Sequence, residues 1–418
     1  MIDWARFAIL HTPRQEAAVP HLPSFQSGTN RFFRHMTPEI VVPMFAGIGN
    51  ALLAVPLVRH LKQGRPECSI TALAGSPAIA EVFSRLSEVG EVIACTAGTA
   101  GLVRAGIALR LRRCDMFLIP APSRRWQYLL MAACVNARRT IMHAYTEKPS
   151  LFRRALGFET VAAQPGLHDV HQNLLLLKSL DPGGAPVPVA DEAPVFPLNE
   201  TDHAAAAVLL RQAGLTKMPR RPVIVHAGSG ATALAAAKRW PPGNCSLLLR
   251  ELRKRTDRPF IVIEGPDEPG LADEVLRVEP VAGVSGIRLR GSLGTSAALL
   301  QRAALYIGSD SGLAHLAAAV GTPPVALFGP ADPERMCPFG YRHLVVQAHT
   351  ATCRACTSYP WKSRRPKIIC ERGYACMRDI TADDILEKAL PVLRDADRAN
   401  TSGQAQGPAP AVTSQPCT

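Results

Sequence analysis

Three short stretches carry residues that suit anion chemistry. The first is Phe45-Ala-Gly-Ile-Gly-Asn50, the second HAGSGATALAAAKRWP from His226 to Pro241, and the third Gly308-Ser-Asp-Ser-Gly312. Each stands where an apolar, strand-like run gives way to a helix-like one. The first N–H groups of a helix have no intrahelical acceptor, and the helix dipole adds partial positive charge there, so a phosphate is bound readily at such a junction. Gly312 lets the backbone come close to an anion with no side chain in the way. Ser311 and His315 are four residues apart and share one helix face, so an anion at the mouth of this helix meets both. Asp310 or Ser311 is also suited to cap the helix.

The sequence around the third stretch, SDSGLAHLAAAVGTPPVALFGPADPERMCPFG, resembles the C-terminal signature of the bacterial heptosyltransferases of glycosyltransferase family 9. The signature comprises an Asp, a Ser or Thr, a Gly, a His five after the Asp, a Gly-x-Pro and a Phe-Gly-Pro turn. Further patches are similar: GIGNALLAVPLVRHLK, HDVHQNLLLLKSL, HAGSG, AKRWPP and IEGPDE, so the likeness runs from about residue 39 to 390. It implies a GT-B fold, two Rossmann-like doubly wound domains facing a cleft, and an ADP-heptose-like nucleotide sugar as donor. Carried over residue by residue, it implies that Asp310, Ser311, Gly312 and His315 hold the diphosphate and donor sugar, with Ser229 of HAGSG beside them. Lys238 of AKRWP would neutralise phosphate charge, and Glu268, three after the glycine of EGPDE, would hydrogen-bond the ribose.

Transfer from a nucleotide sugar needs positive charge at the departing diphosphate, and Lys, His and a helix N-terminus supply it without a metal. It also needs a group that removes the acceptor hydroxyl's proton. The resemblance implies inversion by direct displacement. Heptosyltransferases of the family usually read Gly-Asp where this chain reads Gly49-Asn50. An amide is not basic, so Asn50 positions a ligand through its donors. Either another carboxylate acts, with Asp115 and Asp169 as candidates, or the acceptor differs, or the protein binds the donor without turning it over. A GT-B nucleotide-sugar epimerase is the other enzymatic reading.

The elements that position these residues are legible as alternation. From Glu39 the chain runs strand, helix, strand up to RTIMHA, which marks a parallel, doubly wound sheet. The stretch DPGGAPVPVADEAPVFPLNE, residues 181–200, is rich in proline, and the alternation resumes after it. The expected organisation is an irregular extension over 1–37, an acceptor domain over 38–180, a linker over 181–200, a nucleotide-sugar domain over 201–395 and a disordered tail over 396–418. A last helix over ADDILEKALPVLRDA is expected to kink or break near Pro391. Ligands of such sheets sit at the carboxyl ends of the strands.

Four of the 11 cysteines, Cys353, Cys356, Cys370 and Cys376, have the spacing C-x2-C-x13-C-x5-C. That suits structural thiolate ligation of Fe or Zn, and a similar cluster occurs in several members of the family, including the iron-bearing autotransporter type. The net charge of +13 favours anionic partners. No nucleic-acid module is present, so the expected partners are a nucleotide sugar and an anionic lipid or protein acceptor. Arg124, Arg125, Arg138, Arg139, Lys148, Arg153 and Arg154 concentrate charge in the first domain, where peripheral contact with the inner membrane is a candidate role. The N-terminus has no basic lead with a small-residue cleavage site, so a cytoplasmic address is expected.

Overall fold

A computed structural model describes residues 38–401, apart from 96–97, 146–155, 181–191, 231–234, 279, 351–352, 354 and 357–369. The extension over 1–37, most of the proline-rich segment and the tail beyond Thr401 lie outside the described residues, as do Lys148, Arg153 and Arg154.

The first lobe contains β1 (Glu39–Met44), α1 (Ile48–Gly64), β2 (Ser69–Ala74), α2 (Pro77–Ser84), β3 (Glu91–Ala94), α3 (Gly98–Leu111), β4 (Met116–Ile119), α4 (Trp126–Val135), β5 (Arg139–Ala144), β6 (Glu159–Ala162) and α5 (Asp169–Lys178). Its strands are all parallel and lie in the order β3-β2-β1-β4-β5-β6. The short half-exposed β6 adds an edge strand that the alternation in the sequence does not show.

The second lobe contains α6 (Glu200–Gln212), β7 (Val223–His226), α7 (Ala235–Lys238), α8 (Pro242–Arg253), β8 (Phe260–Glu264), α9 (Leu271–Val278), β9 (Val284–Arg288), α10 (Leu293–Gln301), β10 (Leu305–Ser309), α11 (Gly312–Ala319), β11 (Pro324–Leu327), α12 (Pro333–Met336), β12 (Val345–Val346), α13 (Ala375–Arg378) and α14 (Ala382–Thr401). Its sheet, again all parallel, has the order β12-β11-β10-β7-β8-β9. Both lobes are Rossmann-like and share one topology. In each, the chain leaves the first strand toward one edge and returns to the opposite side of it, which opens a crevice at the carboxyl ends of that pair. The pairs are β1/β4 and β7/β10. The glycine stretches read from the sequence follow β1, β7 and β10, three of those four strands.

Central strands such as β7, β10 and β11 are wholly buried and mostly apolar, with polar groups such as His226 and Ser309 at their carboxyl ends, as a sheet covered by helices on both faces requires. The helix α14 is not broken at Pro391. Ile385, Leu386, Ala389 and Leu393 stay buried against the second lobe on both sides of the proline. Glu387, whose carbonyl loses its partner, is exposed and that oxygen can be hydrated. The helix also reaches Thr401, past the boundary expected at 395.

The lobes are joined by polar contacts as well as by the shared core. Glu81 of α2 accepts hydrogen bonds from the N–H groups of Leu293 and Gly294, both at 2.8 Å, so one lobe caps a helix of the other. Arg85, one turn after Glu81, holds Asp202 of α6 in a two-pronged pair. Asp202 also completes a capping box with Asn199, each side chain reaching the other's backbone N–H at 3.0 Å.

Candidate active site

The mouths of α1 and α11 meet across the lobe boundary. A Cβ on Gly312, the first residue of α11, would lie 3.0 Å from the Cβ of Ile48, the first residue of α1. A Cβ on Gly49 would lie 2.6 Å from Cδ2 of His315. Glycine at these two positions is what allows the two helix ends to touch. Neither helix has an acidic residue in its first turn, so two positive poles face one another without an internal counter-charge.

Around this junction the expected donor residues converge. Lys238 follows from Trp240, which is buried and hydrogen-bonded at both its backbone N–H, to Ala227 at 3.1 Å, and its indole N–H, to Ile380 at 3.2 Å. That anchor brings the Lys238 ammonium to 2.6 Å from a carboxylate oxygen of Asp310. The Ser229 hydroxyl donates to the Asp310 carbonyl at 3.0 Å, tying the loop after β7 to the loop after β10. Ser311 stands at the N-cap position of α11, yet its side chain does not cap the helix.

His315 is buried, and its Nδ1 has no hydrogen-bond partner. Burial pushes its pKa down to about 4, so the ring is neutral. The Asn50 side-chain oxygen is likewise buried without a partner. An orphaned ring nitrogen and an orphaned amide oxygen at a contact between positive helix ends mark a place built for a ligand.

Glu268 is more occupied than a free ribose ligand would be. It accepts from His226 Nε2 at 2.8 Å, from the N–H of Gly230 at 2.6 Å and from the N–H of Ser229. Burial opposes its charge, but these donors and His226 outweigh burial and hold its pKa at about 2. The carboxylate thus ties the loop after β8 to the loop after β7. The Gly265 N–H adds a fourth donor at 3.4 Å, so every acceptor position of this buried carboxylate is engaged within the protein, where the family resemblance implies a ribose ligand.

The two carboxylates expected as bases have other partners. Asp169 opens α5 and is 1% exposed. The guanidinium of Arg335 on α12 grips both its oxygens, at 3.0 and 2.7 Å. Removing one member of such a buried pair costs about 3–5 kcal/mol, and both carboxylate oxygens are committed to the guanidinium. Asp115 precedes β4, at the end of the sheet opposite the strand carboxyl ends. There it accepts from the Glu39 N–H at 3.0 Å and faces Arg138 at 3.4 Å. Its place at the wrong edge, and not its chemistry, excludes it from the cleft. Of the basic residues expected at an acceptor surface, Arg139 is paired with Glu159 and Arg125 is bonded to the Phe45 carbonyl, beside the glycine turn after β1.

Several site residues escape a reading of the sequence. Beside Asp169, His168 accepts the Val170 N–H on Nδ1 at 3.3 Å, which leaves Nε2–H to donate to the Cys337 carbonyl of the other lobe at 2.9 Å. Burial lowers the His168 pKa to about 4. The buried His226 and Tyr306 lie under the donor loops. HDVHQN and PERMCPFG stand out in the sequence, but nothing local shows that His168 and Asp169 meet Cys337 and Arg335.

The cysteines share one neighbourhood. Burial first, and then the nearby Cys353, Cys356 and Cys370, raise the Cys376 thiol to about 11. The N–H of Ala355, between Cys353 and Cys356, donates to the Gly329 carbonyl at 3.1 Å. Cys376 packs at Gly329, where an added Cβ would lie 2.9 Å from its sulfur. Among the described residues, however, no three His, Cys, Asp or Glu stand in an arrangement that holds a metal ion. As placed, the four thiols do not form a ligand set, and no chemical step is drawn through them.

Residues 125–364, more than half the chain, match the family model "Glycosyltransferase family 9 (heptosyltransferase)". The chain belongs to this family. Among characterised members it is 27% identical over 301 residues to lipopolysaccharide heptosyltransferase 3 of Escherichia coli K12, covering 68% of this chain and 80% of the relative. Its fold superposes on a glycosyl transferase family 9 protein from Veillonella parvula with a TM-score of 0.66 at 20% identity, over 86% of this chain and 97% of that one. It also superposes on the E. coli heptosyltransferase WaaC with ADP, with a TM-score of 0.58 at 18% identity, over 85% and 99%. The protein is therefore a glycosyltransferase, and the epimerase reading is set aside. No helix among the described residues is long and apolar enough to cross a membrane.

The buried histidines of this glycosyltransferase set its acid limit. His143, His168 and His315 are each held neutral, with pKa lowered to about 4 from an ordinary 6.5 by burial. Because the folded pKa lies below the unfolded one, this stabilisation is complete above pH 6.5 and is lost as the pH falls from there to 4. A tenfold weaker hold on a proton corresponds to about 1.4 kcal/mol for each histidine. Urea unfolding should therefore show several kcal/mol less stability at pH 4.5 than at pH 7. Equal midpoints at the two pH values would contradict the neutral assignment.

Proposed function

We propose that this glycosyltransferase moves a heptose from ADP-heptose to a hydroxyl of a lipopolysaccharide core, with inversion at the sugar carbon. The observation that carries the reading is the junction itself. Two unopposed helix N-termini, a lysine and a neutral buried histidine surround a single point between two Rossmann-like lobes. The family relatives add that one such protein was solved with ADP and that another is named for lipopolysaccharide.

In this reading the diphosphate lies at the mouth of α11, over the free N–H groups of Gly312 and Leu313. Lys238 leaves or shares its contact with Asp310 to meet the phosphate, and its charge offsets what accumulates on the leaving group. Asp310, freed in part, faces the sugar. The acceptor enters from the first lobe, where Asn50 orients its hydroxyl. Arg124 and Arg125, beside the glycine turn after β1, offer charge to an anionic lipid core, and the same face suits peripheral contact with an anionic membrane.

The base is His315. Its neutral Nδ1 is free to accept a proton, and with a pKa near 4 it is about as basic as the aspartate that other heptosyltransferases carry at the position of Asn50. Proton transfer to it becomes favourable as the acceptor oxygen bonds to the sugar carbon and acidifies. Asp169 keeps the lobes in register through Arg335. Binding of a structural Fe or Zn by Cys353, Cys356, Cys370 and Cys376, which their spacing suggests, would require these thiols to draw together beside the turn at Gly329, since as placed they form no ligand set.

Three measurements test these assignments. Lys238→Ala should weaken ADP binding about tenfold or more in calorimetry and slow transfer from ADP-heptose to lipopolysaccharide core, detected by mass. Unchanged affinity and turnover would place the phosphate elsewhere. His315→Asn should cut turnover on the order of 100-fold with ADP affinity little altered, whereas Asn50→Asp should gain less than tenfold. Near-normal turnover of the His315 variant, or a large gain at Asn50, would transfer the base role. Elemental analysis of protein purified without chelators should find one Fe or Zn per chain. Four freely titrating thiols with no stoichiometric metal would end the cluster assignment.

A further inference from the structure

We infer that Ser311 serves the donor site as a hydrogen-bond acceptor for a sugar hydroxyl, its proton being turned away from the phosphates by a buried chain of three side chains. The inference rests on the donor-site reading above. The chain starts at Glu268, ionised with its pKa near 2. A carboxylate only accepts, so the 2.8 Å contact with His226 Nε2 takes the imidazole proton. In the neutral form of His226, Nδ1 is then an acceptor. It lies 3.2 Å from the Tyr306 hydroxyl, which must donate to it. Tyr306 has no second proton. Its oxygen therefore accepts from the Ser311 hydroxyl, 3.5 Å away.

The surroundings enforce this direction. His226, Glu268 and Tyr306 are all buried, so water does not supply alternative partners. Tyr306 lies in β10, two residues before Gly308 and on the same side of the strand. A Cβ at Gly308 would lie 2.5 Å from the tyrosine oxygen, so only glycine leaves room for the hydroxyl to curl toward Ser311. Ser311, at an N-cap position, makes no capping bond, consistent with a hydroxyl turned toward Tyr306. What Ser311 shows to the cleft is then lone pairs. Lone pairs repel phosphate oxygens and accept from a hydroxyl. The phosphates are left to Lys238 and the N–H groups that open α11, and Ser311 reads the polyhydroxylated sugar. Tyr306 is thus a positioning residue that acts through Ser311.

A double-mutant cycle on ADP binding separates this from a packing role. ADP has phosphates but no transferred sugar, so in the wild type Ser311 opposes it. Calorimetry at pH 8.5 would compare wild type, Tyr306→Phe, Ser311→Ala and the double variant. Tyr306→Phe releases the serine proton toward the phosphate and should tighten ADP binding about 3- to 10-fold. In the Ser311→Ala background the same change should have no effect. Glu268→Gln, with pyrophosphate as the probe because it lacks ribose, gives an independent arm. The amide N–H donates to His226 Nε2 and reverses the chain, so pyrophosphate should bind more tightly only while Ser311 is present. Weaker or unchanged binding in Tyr306→Phe, or the same shift with and without Ser311, overturns the inference while leaving the donor site intact. Failure of the wild type to bind ADP overturns both.

Discussion

Two helices that point their N-termini at one another repel, and this protein holds such a pair in contact. The first turns of α1 and α11 carry partial positive charge, lack acidic residues and approach through Gly49 and Gly312. Such an arrangement is stable only if contacts elsewhere hold it or an anion enters. The first condition is met by the surrounding structure. The shared core and the ion pairs hold the lobes together, and a diphosphate has the charge to relieve the repulsion.

The contacts that hold the junction lie on either side of it. On one side Asp169 and Arg335 form a buried two-pronged pair, and His168 reaches the Cys337 carbonyl. On the other, Arg85 holds Asp202, and Glu81 caps α10. All are charged or polar groups, largely withdrawn from water, that make these contacts only when the lobes are together. Buried pairs of this kind add modest net stability but penalise any arrangement that separates them. They set the register of the lobes more than the strength of the fold.

What was legible in the sequence was local. Apolar runs alternating with helical patterns, and glycines where they change, placed the three donor loops at the topological switch points of two identical sheets. The structure brings Lys238 and Asp310, both singled out by the family resemblance, into contact. What escaped was non-local. Asp169 reads as a free carboxylate until Arg335 arrives from 166 residues away. Asp115 looked catalytic only while the end of its strand was ignored, although its place before MFLI already sets it at the amino end. Pro391 reads as a break, but burial on both sides of it outweighs one lost hydrogen bond. The half-exposed β6 is too short and too polar to announce itself.

The cap that Glu81 lends to α10 bears on how the chain reaches this structure. The two N–H groups it accepts from belong to the second lobe, and the carboxylate belongs to the first. A ribosome delivers Glu81 more than 200 residues before its partners exist. Until then the carboxylate has only solvent and its helical neighbour Arg85. Once α10 emerges, its start is completed by a lobe that has already been made. Synthesis order and stability thus run the same way: the early half is a template against which the late half finishes its own secondary structure. The reverse arrangement, a late half needed to complete an early helix, would leave that helix exposed for most of translation.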